Sequence, residues 1–258
     1  MTTMERHDRI VRAIGRQPVL ALRDAMTLTG ASEPTVRRDF AALADAGVVR
    51  RVRGGVRAVE AVGMTPFALR EMTYSDEKQR IARAACALLG PNDVVFIDGG
   101  TTTFHLAACL PVFPLRVVTN SIRLADALDE QARRRGGLEI FLTGGFVHPG
   151  SGLLVGPGAV ASIAAYRAHW AFLSVGGITV AGLSNTNEQV VESERRMIAH
   201  ADRAAVLADH SKLARHAMCH VCPLAEIDVL VTDRAVADET TAQALMANGV
   251  EVTVAAAR

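Results

Sequence analysis

The period of the apolar positions changes near residue 60. Before it, apolar residues recur at helical spacing: Ile10, Val11 and Ile14 within residues 6–15, then Leu22, Ala25 and Met26 within residues 20–29. A third stretch carries Val36, Phe40 and Leu43 at i, i+4 and i+7. Gly30 and Ala31 separate the second stretch from the third. Ser32 is suited to cap the third helix, and Pro34 falls in its first turn, where a missing N–H costs nothing. Gly47 suits the position just past its end near Ala46. Two short β-rich runs then flank Gly54 and Gly55, a pair that permits the positive φ of a tight hairpin turn. Three short helices and a hairpin predict a winged helix-turn-helix over residues 1–60.

Residues 61–74 hold no sustained period and contain Gly63 and Pro66, which predicts a linker. From residue 75 onward helical patterns alternate with continuous apolar runs. Helices are predicted over 76–89, 104–110, 121–133, 158–166, 190–200 and 238–247. Strands are predicted for VVFI (94–97), LRVVT (115–119), LEIFLT (138–143), WAFLSV (170–175), AAVLA (204–208), DVLVT (228–232) and VEVTV (250–254). Strands that are apolar throughout, with helices between them, imply a mostly parallel sheet covered on both faces. The fold class is therefore α/β: a small winged helix followed by a larger α/β domain over residues 75–258.

Composition sharpens this division. Half the residues are hydrophobic and 21% are charged, which excludes a disordered chain. The net charge of +1 conceals an asymmetry. Residues 1–60 hold eleven arginines and no lysine against seven acidic residues, whereas the remainder carries a slight acidic surplus. An anionic partner is expected at the basic end alone. No apolar run approaches the ~18–20 residues of a membrane helix, and the N-terminus has no apolar leader. Four cysteines are too few for a disulfide scaffold. A cytoplasmic protein without a membrane partner is the expectation.

The third helix carries specific chemistry. With Val36, Phe40 and Leu43 turned inward, Arg38 lies almost opposite them. Pro34, Thr35, Ala41 and Ala42 surround it, and Arg37 sits on the flank. Small residues around an arginine suit a helix laid in the major groove, where arginine can hold guanine O6 and N7 together. Arg50, Arg51, Arg53 and Arg57 on the hairpin are placed to neutralise phosphates. A solvated helix face with ordinary surface arginines is the alternative for any one of these features. Their conjunction favours DNA.

In the larger domain, polar or glycine clusters recur at the ends of predicted strands. Asp98, Gly99, Gly100, Thr101, Thr102 and Thr103 follow the first. Asn120 and Ser121 follow the second, Gly144 and Gly145 the third, Gly176 and Gly177 the fourth, Asp209 and Lys212 the fifth. Ligands of parallel sheets bind outside the carboxyl ends of the strands, so these clusters converge on one crevice. Glycines admit close approach of an anion, hydroxyls donate to it, and a helix start adds free N–H groups. Hydroxyls, an amide and a carboxylate suit a polyol, and Lys212 suits a phosphate or carboxylate. His216, Cys219, His220 and Cys222 have metal-ligand chemistry without usual zinc spacing; buried free cysteines are the simpler reading, and no metal or other cofactor is expected. Cys86 and Cys109 fall in helical patterns and are expected in the core.

Arg6, Ile10 and Ile14, followed by Ser32 and the run Thr35-Val36-Arg37-Arg38-Asp39-Phe40, resemble the helix-turn-helix signature of the DeoR/GlpR family of bacterial transcriptional regulators. The "RGG" at 53–55 resembles its wing. Arg70-Glu71, Lys78, "FIDGGTTT", "VVTNS", "LTGG" and "ADHSK" resemble successive landmarks of its C-terminal sensor domain, so the likeness spans nearly the whole chain. It implies that Ser32, Thr35, Arg37 and Arg38, with Arg51 and Arg53 of the wing, bind double-stranded operator DNA. Asp39 then reads as an internal partner for an arginine. It further implies a sensor domain related to ribose-5-phosphate isomerase, binding a phosphorylated sugar or polyol through the strand-end residues. Glu188, Glu192 and Glu194 all lie on the helix after Gly182, and the sequence does not say which faces the pocket. The resulting expectation is a DNA-binding regulator, most simply a repressor, acting as a homo-oligomer (dimer or tetramer) and not catalytic. The alternative is a sugar-phosphate isomerase or deaminase-like enzyme with an accessory N-terminal domain.

Overall fold

The computed structural model describes residues 2–16, 19–58 and 67–256. The chain divides into two compact units, Met1–Ser75 and Asp76–Arg258. The first contains α1 (Thr3–Arg16), β1 (Val19–Ala21), α2 (Leu22–Thr29), α3 (Glu33–Asp45), β2 (Val49–Val52), β3 (Gly55–Ala58) and α4 (Phe67–Met72). Ile10, Val11 and Ile14 of α1 meet Val36, Phe40 and Leu43 of α3 in one buried cluster closed by Leu20, Val49 and Val56. The end of α3 is a Schellman turn. Val48 N–H reaches the Leu43 carbonyl, Gly47 N–H reaches Ala44, and Gly47 takes φ +70°.

Two features of this unit depart from expectation. The wing has three strands in the order β1-β3-β2, because residues 19–21 pair antiparallel with β3 instead of starting the second helix. Three residues are too few to show a period. Residues 67–72, expected as linker, form α4, whose Ala68 and Met72 pack on the N-terminal core. Residues 61–66, with Gly63 and Pro66, lie outside the described residues.

The second unit runs α5 (Ser75–Cys86), β4 (Val94–Ile97), α6 (Thr101–Phe104) continued by a 3-10 turn (His105–Ala108), β5 (Leu115–Thr119), α7 (Ile122–Arg135), β6 (Leu138–Leu142), β7 (Phe146–His148), β8 (Leu153–Val155) and α8 (Pro157–Ala164). There follow β9 (Ala168–Leu173), β10 (Gly177–Thr179), β11 (Gly182–Asn185), α9 (Glu188–Ala199), β12 (Ala201–Leu207), β13 (Cys219–His220), β14 (Val229–Thr232), α10 (Glu239–Ala247) and β15 (Glu251–Val254). The seven apolar runs each form one strand of a single sheet, ordered β15-β14-β12-β9-β4-β5-β6 and parallel at every pairing. Alternate residues of the strands face opposite helical layers. Val95, Ile97 and Phe172 pack under α5, the 3-10 turn and α7. Phe96, Ala171 and Leu173 pack under α8 and α9, and Val206 and Leu230 meet α9 and α10. Strands buried on both faces are apolar throughout, which is why their sequences show no alternation.

The helix expected over 104–110 begins earlier and stops sooner, so the three threonines lie inside it. Five short strands escaped the sequence. The hairpin β7–β8 and the antiparallel group β10-β11-β13 have two to four residues in each strand, too few to show a period.

Strand order reverses between β4 and β9. From β4 the chain winds outward through β5 to β6, then returns to β9 and winds the other way. That reversal is the topological switch point, where the loops leaving two adjacent strands part and leave a crevice.

Candidate functional site

The charged residues of α3 divide between inside and outside. Asp39 shares the buried stripe with Val36 and Phe40 and is only 3% exposed. It accepts hydrogen bonds from Arg6 Nε at 2.8 Å and from a terminal nitrogen of Arg6 at 3.0 Å, and His7 Nε2 lies 3.1 Å away. Burial alone would raise the Asp39 carboxyl. The Arg6 hydrogen bond and charge, with the charge of His7, outweigh burial and hold it below its ordinary range. This forked pair fastens α1 to α3. On the opposite face Arg38 is exposed. Arg37 is exposed too, in a 2.7 Å pair with Glu33 one turn earlier. An exposed pair of that kind contributes about 0–1 kcal/mol, so Arg37 is cheaply released to another anion.

Ser32 occupies the N-cap position with extended backbone. Its hydroxyl does not cap an amide; it lies 3.0 Å from the Thr35 hydroxyl. On the wing, Gly54 takes φ +81° at the turn. Gly55 has a different reason to be glycine: a Cβ there would lie 2.3 Å from the Leu20 carbonyl oxygen of β1. The third strand could not close on any other residue. Arg50, Arg51 and Arg53 project from β2 and the turn into solvent, and Arg57 on β3 is half-buried.

In the second unit the expected residues all sit at carboxyl ends of strands of the parallel sheet. Asp98, at the end of β4, is buried. Its Oδ2 accepts from Ser174 N–H at 2.8 Å and Ser174 Oγ at 2.9 Å; its Oδ1 accepts from Gly100 N–H at 3.1 Å and from the Thr103 hydroxyl. Ser174 follows β9, so Asp98 ties together the two strands flanking the switch point. Burial pushes the Asp98 carboxyl up, against four donors that favour its ionised form.

The glycines of this turn are packed against protein. A Cβ on Gly100 would lie 1.5 Å from Ser174 Oγ, and one on Gly99 would lie 2.0 Å from Leu153 and 2.7 Å from Ser121 Cβ. Thr101 and Thr102 are buried behind them, and Thr103 is occupied by Asp98. Asn120 donates to the Leu154 carbonyl at 3.1 Å, and Ser121 Oγ caps α7 by accepting from Leu124 N–H. Gly145, at φ +126°, would place a Cβ 2.7 Å from the Val155 carbonyl, whereas Gly144 faces open space. Gly177 lies under the Arg215 carbonyl, 2.1 Å from its ideal Cβ, and Gly176 under Ala217. Asp209 caps the short turn His210–Lys212 by accepting from Ser211, and Lys212 is half-buried. The structure thus brings Asp98–Thr103, Ser121 and Ser174 into direct contact. Asp209 and Lys212 stand one strand further along, joined to β10 by the bridge between Ile178 and Leu213.

Two residues were not singled out from the sequence, Ser174 and Asp233, and a third, Glu194, was left open among three acids. Ser174 braces Asp98. Asp233, after β14, accepts from His210 N–H at 2.6 Å and lies 2.9 Å from its ring Nδ1. Glu194 is the acid of α9 that turns inward; Glu188 and Glu192 are exposed. Its Oε1 accepts from Asn185 at 2.6 Å, and its Oε2 is buried with no hydrogen-bond partner among the described residues. Burial, then the negative charge of Asp98, push the Glu194 carboxyl well above its usual range. Its position was legible in principle, because 190, 194 and 197 share one helical stripe whose other members are apolar. Asn120 Oδ1 and Thr143 Oγ1, at the ends of β5 and β6, are also buried without partners. Orphaned polar atoms are costly in a core, and these lie at the carboxyl ends of neighbouring strands and on α9.

An open groove of about 540 Å³ lies elsewhere, on α8 and α9, lined by Pro157, Val160, Glu192, Arg195, Arg196 and Ala199; none of the strand-end residues lines it. Among the described residues no helix is long and apolar enough to cross a membrane. His216 and His220 are exposed, while Cys222 is buried.

A family model described as the DeoR-like helix-turn-helix domain matches residues 6–62, and one described as the DeoR C terminal sensor domain matches residues 73–234. The HTH-type transcriptional repressor GlcR of Bacillus subtilis is 34% identical over 229 residues, covering 88% of this chain and 87% of that protein. A transcriptional regulator of the same organism, named FruR and described as uncharacterized, is 30% identical over 236 residues, covering 90% and 92%. These relatives are named as regulators, not enzymes. A solved ribose 5-phosphate isomerase A from Methanocaldococcus jannaschii aligns with 55% of this chain and 56% of that one at 15% identity and a TM-score of 0.37, a likeness too loose to carry an argument.

Proposed function

The chain belongs to the DeoR family of helix-turn-helix transcriptional regulators, and on that premise we propose that it represses genes of sugar or polyol metabolism and leaves its operator when a phosphorylated sugar or polyol binds the sensor domain. The observation that carries this reading is the division of charge on α3. Arg6 turns Asp39 inward, so the outer face of the helix presents Arg38 and Arg37 without a neighbouring buried acid to retain them. Arg38 reads base edges in the major groove, Arg37 exchanges Glu33 for a phosphate, and Ser32 and Thr35 bond the backbone at the helix start. Arg51 and Arg53 hold flanking phosphates.

The effector lies across the switch point. Asn120, Thr101 and Thr102 supply polar partners to its hydroxyls, the backbone near Gly144 lines its path, and Lys212 holds its phosphate. Asp98 acts through Ser174 and Thr103, as the brace of the pocket floor. Two DNA-binding heads of a symmetric dimer, or of a tetramer of dimers, match half-sites about one helical turn apart. The effector must bind the DNA-free arrangement more tightly than the DNA-bound one, and the coupling is reciprocal. GlcR's description as a repressor supports the sign of the response. Enzymatic turnover is not favoured, since Asp98 is saturated by four donors and is not presented to a substrate.

The test is fluorescence anisotropy on DNA from upstream of the protein's own gene, at two salt concentrations, followed by a panel of sugar phosphates. Specific binding released by one phosphate is expected. Specific binding insensitive to the whole panel overturns the effector assignment, and absence of specific binding overturns the role of α3.

A further inference from the structure

Two cysteines take no part in either surface described so far. Cys86 ends α5, and Cys109 follows the 3-10 turn that continues α6. Their sulfurs lie 3.2 Å apart, and both are free thiols. A disulfide bond measures about 2.05 Å, so the pair stands roughly 1 Å short of one. The two thiols differ in access. Cys86 is buried among Ile81, Ala82, Ala85 and Leu106, whereas Cys109 is half-buried. They differ in charge as well. The hydrogen bond from Cys86 and the charge of Arg83 favour the Cys109 thiolate, while Cys109 and burial push Cys86 the other way.

We propose that Cys86 and Cys109 form an oxidation site at which a peroxide makes an intramolecular disulfide. The Cys109 thiolate attacks one oxygen of hydrogen peroxide, the O–O bond breaks, and hydroxide leaves and takes a proton to become water. Cys109 is then a sulfenic acid. The Cys86 sulfur attacks it, the S–O bond breaks, and the sulfenic oxygen leaves with the Cys86 proton as a second water. In sum, two thiols and one peroxide give a disulfide and two waters, with the sulfurs oxidised by two electrons and the peroxide reduced by two. In a reducing compartment such a bond is transient, returned to thiols by exchange with a dithiol. The bond would tie the end of α5 to the far end of the short helix that begins at Gly100, so oxidation reaches the turn carrying Asp98 and the threonines.

Cys219 and Cys222 serve as the internal reference. Cys222 is buried, which pushes its thiol up to about 12, and Cys219 lies half-buried on β13. No lysine or arginine falls between Arg83 and Arg116, so one tryptic peptide carries both Cys86 and Cys109.

The experiment exposes the full-length protein to hydrogen peroxide, alkylates it under denaturing conditions and maps the peptides without reduction. The expected result is the loss of two of the four thiols, seen as two hydrogen atoms missing from the peptide of residues 84–116 and restored by dithiothreitol. Cys86→Ser is expected to accumulate a sulfenic acid at Cys109 that dimedone traps. Survival of all four thiols overturns the proposal. So does prior oxidation of Cys219 or Cys222, a disulfide between chains, or over-oxidation of Cys109 with Cys86 intact. The wild-type map decides the matter even if the serine variant does not fold.

Discussion

Asp39 and Asp98 are buried carboxylates in short polar motifs, one in each unit, and their charges are met in opposite ways. Asp39 is answered by the Arg6 guanidinium, with the His7 ring 3.1 Å away, and is held below its ordinary range. Asp98 is answered by four neutral donors, from Ser174, Gly100 and Thr103, and its negative charge helps to raise the nearby Glu194. The N-terminal unit neutralises its buried acid internally and leaves Arg37 and Arg38 on the outer face of α3. The sensor unit gathers buried polar groups at the strand ends and leaves some of them without a partner among the described residues. A surface that reads DNA is built of exposed cations on a rigid helix. In the proposed effector pocket, by contrast, Asn120 Oδ1 and Glu194 Oε2 are buried without a hydrogen-bond partner among the described residues.

The sharpest way to break this comparison is at the packed turn of the sensor. Gly100→Ala drives a Cβ into the Ser174 side chain that braces Asp98, and Ser174 cannot move away without abandoning two hydrogen bonds. A loss of about 3 kcal/mol is expected, at the upper end of overpacking. Gly144→Ala, facing open space, should stay within about 0.5 kcal/mol of wild type. Urea unfolding followed through Trp170, the single tryptophan, reports the sensor unit; equal midpoints for the two variants would show that the turn is loose.

The matching change in the other unit is Asp39→Ala. It strips Arg6 and His7 of a common partner and costs about 2 kcal/mol, less than a fully buried pair because those residues stay 14% and 15% exposed. The helical signal should then melt earlier with no change in Trp170 fluorescence. A shift below about 0.5 kcal/mol would return Asp39 to the DNA-contact set.

On the exposed side, Arg38→Ala should weaken specific binding by about 1.5 kcal/mol and relax one operator position. Arg53→Ala should weaken all sequences alike and reduce the salt slope by about one. Titrating both variants on matched and mutated operators separates the two roles; identical profiles would remove α3 from base reading.

Much of this was legible in the sequence, and the failures have common causes. The central strands of the parallel sheet were visible because their residues are buried on both faces, whereas the edge strands β6 and β15, largely exposed, showed only as short β-rich runs. Asp39 was read as an internal partner from the family resemblance, and the structure places it on the buried stripe with Val36 and Phe40. The glycines were read for the wrong reason. GlyGly after β4 suggested room for an anion, yet Gly99 and Gly100 make room for Leu153, Ser121 and Ser174, which come from elements far away in sequence. Gly55 likewise answers to Leu20, on a strand too short to show a period. Ser32 looked like a cap because its residue type and position fit, and only the geometry shows its hydroxyl turned to Thr35. Close approach between distant segments leaves no local pattern, so a motif reveals that a glycine is required without revealing which neighbour requires it.

The smallest effect tests the electrostatic half of the comparison, through opposite responses to pH. Asp39 is held below its ordinary range, so its contribution is fully present above its unfolded value near ~3.9 and is lost as pH falls through the folded value. The N-terminal unit should weaken in acid. Glu194 is raised by burial and by Asp98, so the folded sensor unit holds a proton that the unfolded chain has released above about pH 4.3. Its stability should therefore fall as pH rises from about 5 toward the folded value, by at most ~1.4 kcal/mol per pH unit. Glu194→Gln keeps an acceptor for Asn185 and removes the titrating group. The variant should show a flatter profile through Trp170 and become the more stable of the two as pH rises. An unchanged slope would mean that Glu194 does not titrate in this range, and that the sensor, like the winged helix, neutralises its buried acids within the protein.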